Sequence, residues 1–189
     1  GGCTNVKLYF MIGLPTETDE DIKEIAELTE RIIDVYYKNP NREKGKNIQI
    51  AVSCATFIPK PFTPFEFEPQ ASEEEINRKQ KILFNSVKSR KAVALSWHDY
   101  KVSILEAVLA RGDRRLCDAV YEAWKSGCKF DSWGECYKYE TWTEVFNKLG
   151  IDVDFYAQRT RSYDEIAPWD HLDYLVTKDF FVRENKKAH

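Results

Sequence analysis

The chain has 189 residues, 43% hydrophobic and 31% charged, with a formal net charge of -3. That length and apolar content can bury a core in one or two compact domains and exclude a disordered chain, and the slight acidity argues against a protein that coats nucleic acid, which needs a basic face. No apolar run reaches about 18 residues, so no membrane span is predicted, and without a charged-then-apolar leader a cytoplasmic location is expected.

The opening Gly1-Gly2-Cys3-Thr4-Asn5 runs directly into an apolar stretch. This reads as a cut, and the chain is expected to be a fragment of something longer. Val6 to Ile12, rich in β-branched and aromatic residues, suits a strand buried on both faces. It stops at Gly13, where the absent side chain permits a tight turn, so the Gly13 to Glu17 backbone is a candidate cofactor wall. An ordinary strand-to-helix turn is the alternative. Thr18 with Asp21 forms a capping box, and Ile22, Ile25, Leu28, Ile32 and Val35 recur at helical spacing, predicting a helix over 19–37 that ends before Asn39-Pro40.

Residues 48–57 alternate between large side chains (Ile48, Ile50, Val52, Cys54, Thr56) and smaller or polar ones (Gln49, Ala51, Ser53, Ala55), predicting a strand with one small face. Strand, helix and strand within about 50 residues call for a parallel right-handed crossover, with the small face either lining a ligand space or fitting a crowded interior. Residues 58–69 hold four of the seven prolines and three phenylalanines, predicting a stiff, extended loop without helix, its rings tucked in. At the carboxyl end of a parallel strand, such a loop is where folds of this kind put active-site walls. Ser72 and Glu75 open a second helix reaching to about Lys91, with Ile76, Leu83, Phe84 and Val87 inward, and Ala92 to Trp97 forms a short strand.

From Tyr100 the pattern is helical. A stripe of Val102, Leu105, Val108 and Leu109 stops at Gly112, and a stripe of Leu116, Val120 and Trp124 stops at Gly127, predicting a helical hairpin. A further helix is expected over 139–149, and Lys186 to His189 is expected to fray. From Phe130 onward lie 13 of the chain's 26 aromatic residues, which form a small core or else stack bases.

Arg111, Arg114 and Arg115 are candidates for binding a substrate, through a phosphate, a carboxylate or a nucleic-acid backbone, or they pair with acids such as Glu106 and Asp113. His98-Asp99 and Asp170-His171 with Asp173 suit a general base or metal ligation, or else cap helices and pin an aromatic ring. The five cysteines are odd in number and widely spaced, as reduced thiols are. Cys117, Cys128 and Cys136 with His171 could hold zinc, although their spacings match no standard finger.

Lys7 to Asp21, KLYFMIGLPTETDED, resembles the strand and loop of the fifth βα unit in radical S-adenosylmethionine (SAM) enzymes, where G-[LF]-P-x-[EQ]-T recurs, and FIPKPFTPFEF after the second strand resembles the sixth. SWHDY, SILEAVLARGDRR, GCKFDSW and PWDHLDYLVTK are similar to the downstream region of a bacterial radical SAM family of iron-sulfur oxidoreductases, some of which carry a cobalamin-binding-like domain upstream. The resemblance implies an α/β fold, the C-terminal part of a (β/α)6 partial barrel over 1–98 followed by an α-helical, aromatic-rich extension over 99–189. It implies that Met11 packs on the adenine of SAM, that Tyr9 faces the nucleoside, that backbone near Thr56 bonds the adenine edge, and that Gly13 and Pro15 shape the loop.

The C-x-x-x-C-x-x-C motif that holds the [4Fe-4S] cluster in this superfamily is absent from the 189 residues. The parent protein would use SAM and the cluster, and cobalamin in some relatives, to form a 5'-deoxyadenosyl radical and abstract hydrogen from an unknown substrate. This fragment alone is expected to bind none of them and to be inactive. Its natural partner would be the missing N-terminal part of its own barrel, and its first strand would expose an edge through which the fragment dimerises. The rival reading is a noncatalytic module that docks RNA or a protein through the arginine turn and the aromatic tail.

Overall fold

The computed structural model describes residues 3–189. Gly1 and Gly2, on which the reading of a cut start partly rests, lie outside the described residues. The chain is mixed α/β and divides into two compact units, one comprising residues up to Phe57 with Ser72–His98, the other Ile58–Ala71 with Asp99–His189. Residues 58–71 therefore group with the second unit rather than with the first 98 residues.

The first unit contains β1 (Asn5–Ile12), α1 (Asp19–Lys38), β2 (Gln49–Thr56), α2 (Glu73–Ser86) and β3 (Val93–Trp97). The strands form a parallel sheet in the sequential order β1-β2-β3. Two right-handed crossovers that step the same way put both helices on one face, and α1 and α2 pack on each other. Thr18 closes the capping box that starts α1: its hydroxyl accepts from Asp21 N–H, and the Asp21 carboxylate accepts from Thr18 N–H at 2.7 Å.

The helix-side face of the sheet is Val6, Leu8, Phe10 and Ile12 against Ile50, Val52, Cys54 and Thr56, with Val93, Leu95 and Trp97 beyond. Ile12, Ile50, Val52 and Cys54 are fully buried there, against Ile22, Ile25, Ile76 and Leu83 of the helices. The opposite face is open. β1 is thus not buried on both faces: Asn5, Lys7, Tyr9 and Met11 alternate as exposed residues, because both helices of this unit pack on the other side of the sheet.

Helix α2 also differs from expectation. It ends at Ser86, five residues before Lys91, because the Glu30 carboxylate of α1 captures the chain, accepting from Lys88 N–H, Ser89 N–H and the Ser89 hydroxyl at 2.6–3.0 Å. Ile76, Leu83 and Val87 are buried as expected, but Phe84 faces outward with the Arg90 guanidinium over its ring.

The second unit contains a short 3-10 turn (Pro64–Phe67), α3 (Tyr100–Ala110), α4 (Leu116–Lys125), α5 (Tyr139–Leu149), α6 (Val153–Ala157) and α7 (Lys178–Ala188). The proline-rich loop is not free of helix, since Pro64 occupies the first helical position, where its missing N–H costs nothing. The expected α3–α4 hairpin is replaced by α3 against α6 and α4 against α5. The reason lies in side-chain size: α4 buries Leu116, Ala119 and Ala123, whose small side chains admit Trp142, Val145 and Phe146 of α5, and this turns Val120 and Trp124 outward. Gly150 closes α5 in the left-handed region at φ 65°. The end of the chain does not fray where expected, because α7 runs to Ala188 and its buried Asn185 donates to Glu68 at 2.8 Å.

Candidate functional site

On the open face of the sheet, β2 and β3 contribute the small side chains Ala51, Ser53, Ala55, Ala94 and Ser96. The register aligns Lys7 with Ala51 and Ala94, Tyr9 with Ser53 and Ser96, and Met11 with Ala55. Tyr9 and Met11, 73% and 47% exposed, stand along one side of this shallow floor. A flat heterocycle laid over Ser53 and Ala55 would meet no bulky side chain from β2, and would find a ring and a thioether beside it. Cys54 is the last β2 residue paired with β3, so the main chain at Thr56 continues past the end of that ladder. Thr56 itself turns its side chain to the helix side and is buried.

At the carboxyl end of β1 the loop is locked from within. Gly13 has φ 82° and Thr16 has φ 63°, two left-handed residues in a five-residue turn. The Glu17 carboxylate accepts from Gly13 N–H at 2.8 Å and pairs with the Lys79 ammonium of α2 at 2.6 Å, and Lys79 also donates to the Glu17 carbonyl at 3.3 Å. Both side chains are almost completely buried, at 5% and 7% exposure. Within the expected backbone wall, the Gly13 N–H is thus engaged by Glu17. Pro15 lines a groove of about 410 Å³ between β1 and α1, together with Phe10, Leu14, Ile25 and Leu28. Glu17 and Lys79 were not singled out from sequence. Their signal was Lys79 itself, a lysine on the apolar stripe of Ile76 and Leu83.

The three arginines do not form one site. Arg111 is fully buried and donates to the backbone carbonyls of Glu68, Ala157 and Arg159 at 2.8, 2.9 and 3.2 Å, which removes it from the candidates for phosphate or substrate. Burial, and secondarily the neighbouring Arg161 and Arg159, lower its pKa to about 10, which leaves it charged at neutral pH. Arg115 forks onto Asp113, whose pKa this bond holds down at about 2. Arg114 is exposed and apart from that pair. Glu106 pairs instead with Lys60.

The aspartates beside His98 and His171 serve local structure. Asp99 accepts from Lys101 N–H to start α3, and Asp170 accepts from Ala167 N–H. Trp169 donates its ring N–H to buried Glu66 at 2.9 Å, so Glu66 is a further buried acid that sequence reading passed over.

As for metals, no group of three or more His, Cys, Asp or Glu side chains comes together among the described residues. Cys54 lies under the helices with its thiol pushed up to about 11 by burial and by the Glu17 carboxylate, the opposite of a thiolate ligand. The donor set present does not fit an iron-sulfur cluster. Likewise, no helix among the described residues is long and apolar enough to cross a membrane.

No protein-family model matches the chain, and no solved structure does. An uncharacterised protein of Methanocaldococcus jannaschii, MJ0966, is similar, with 34% identity over 116 residues that make up 61% of this chain and 23% of that protein. The chain thus matches about a quarter of the length of this curated relative.

Proposed function

We propose that this chain is the carboxyl-terminal part of a radical SAM enzyme, and that the open sheet face carries the adenosyl end of S-adenosylmethionine. The observation that carries this reading is the small-residue face of a sequentially ordered parallel sheet with both helices behind it, the arrangement of one sector of a β/α barrel wall. Met11 and Tyr9 would pack on the adenine and ribose, Ser53 and Ala55 would leave room beneath them, and main chain near Thr56 would bond the adenine edge. The Glu17–Lys79 pair would hold the loop after β1 so that Met11 keeps its place at the strand end. Bound SAM would supply hydrogen-abstracting radical chemistry in a protein that also holds an iron-sulfur cluster, with Met11 and Tyr9 holding its adenosyl end. The cluster is not held by the residues described here and would come from a segment outside the 189.

The outer edge of β1 is where the rest of such a barrel would continue, and the small share of MJ0966 that the match covers is consistent with a longer whole. The test is the coding sequence upstream of Gly1. A C-x-x-x-C-x-x-C following a predicted strand about 150 to 200 residues earlier, the length of four βα units, would support the proposal; a short unrelated leader would overturn it.

A further inference from the structure

We infer that the open face of the sheet binds an anionic group, a carboxylate or a phosphate carried by the substrate, which Lys7 and His98 hold over the hydroxyls of Ser53 and Ser96. That this anion belongs to a substrate rests on the SAM reading of the same face; that an anion binds there does not.

The strands fix which side chains share the face. Lys7 alternates outward from β1, and Ser53 and Ser96 stand level with each other two residues nearer the carboxyl end of the sheet. His98 lies just past β3, yet its N–H donates to the Cys54 carbonyl at 3.3 Å, so the ladder still holds its backbone. The alternation that turns Val93, Leu95 and Trp97 to the helix side therefore sets His98 on the open side with Ser96, and both are exposed.

The charge on this face is positive. No position of β1, β2 or β3 that faces this way is Asp or Glu. Neither the Lys7 ammonium nor the His98 imidazole has a hydrogen-bond or ion-pair partner among the described residues, and the Ser96 hydroxyl makes only a long contact of 3.5 Å with the Val52 carbonyl. Lys7 brings three donors, each serine one, and the imidazole at least one in either charge state. Strand spacing and rise put the Cα atoms of Lys7 and Ser96 about 12 Å apart, a gap that the lysine stem and a phosphate-sized anion together span over the short side chains of Ala51 and Ala94. His98 closes the site at the carboxyl end, level with Ala55 and Met11, so the anion would lie beside the adenosyl position rather than on it. A segment that pairs with the outer edge of β1 would widen the sheet and leave these side chains on the same face.

The test is an NMR titration of the 189-residue chain with inorganic phosphate, with citrate and with uncharged glycerol. The Ser53 and Ser96 amide signals and the His98 ring signals should shift saturably with at least one of the two anions and not with glycerol; tighter phosphate assigns a phosphate-bearing substrate, tighter citrate a carboxylate. Lys7→Met should weaken the binding at least about tenfold and His98→Ala about fivefold. Lys44→Met, which removes the same charge from an exposed position of the same unit, should change it less than about twofold. Unchanged melts by circular dichroism show that each variant is folded. An absence of saturable shifts at these residues overturns the inference, as does a loss in Lys44→Met equal to that in Lys7→Met. Either result leaves the SAM reading standing, since 5'-deoxyadenosine release and not anion binding decides it.

Discussion

Replacing Lys79 by Met leaves the Glu17 carboxylate buried beside Gly13 without its counter-charge. In the structure that carboxylate has two partners, the Gly13 N–H and the Lys79 ammonium, and water reaches neither side chain to any extent. Stranding one member of a buried pair costs about 3–5 kcal/mol, whereas removing both members together is close to neutral. Against a typical total of about 5–15 kcal/mol, Lys79→Met removes about a fifth or more of the stability. At about 2–4 °C per kcal/mol for a chain of this size, the melting temperature should fall by roughly 6–20 °C. Glu17→Gln combined with Lys79→Met keeps an oxygen for the Gly13 N–H and buries no charge, so it should recover most of the loss. Urea unfolding followed by circular dichroism measures all three chains. If Lys79→Met costs less than about 1 kcal/mol, or if the double variant is no better than the single one, the loop is not locked as described.

Three further outcomes are expected. Gly13→Ala, at φ 82°, should destabilise by about 1 kcal/mol or more, while Thr16→Gly, at φ 63°, should be neutral or stabilising, as read from thermal melts. Arg111→Met should cost about 3 kcal/mol because the Glu68 and Arg159 carbonyls lose their Arg111 donor and the Ala157 carbonyl keeps only the Gln70 N–H, and Arg111→Lys should not rescue it, since an ammonium lacks the planar fork; Arg114→Ala should change stability by under about 0.5 kcal/mol. Asp113 is held down at about 2, below its unfolded value, so its contribution is present above about pH 4 and lost as pH falls through about 2. Asp113→Asn should remove about 1 kcal/mol at pH 7, discounted for the exposure of its Arg115 partner, and should flatten the acid limb of the stability curve.

What could be read from the sequence was local. The Thr18 capping box, the alternation of β2 and the Gly150 stop are each written in a few adjacent residues, and each is found as expected. The failures came where a distant partner decides. Glu30 ends α2 from another helix, Ala119 and Ala123 choose the buried side of α4 by admitting α5, and Arg111 is claimed by carbonyls more than 40 residues away in both directions. A stretch of apolar residues reveals that β1 is a strand, but the openness of one face depends on which side both crossovers take. The short helix α6 and the last turn of α7 carry little periodicity, and their order comes from contacts such as Asn185 with Glu68. For the site, the small face of β2 was legible, while the engagement of Gly13 by Glu17 was not, because it depends on Lys79 arriving from α2.

In the function we propose, the open face of β1 and β2 carries the adenosyl group of SAM inside a longer, cluster-bearing protein. The most direct measurement is 5'-deoxyadenosine release by that longer protein after anaerobic iron reconstitution, comparing the native chain with Ala55→Trp, which fills the floor beside Met11. Release is expected from the native protein, and its loss in Ala55→Trp with the cluster absorbance unchanged. No release from a cluster-loaded native protein, or undiminished release from Ala55→Trp, would contradict it.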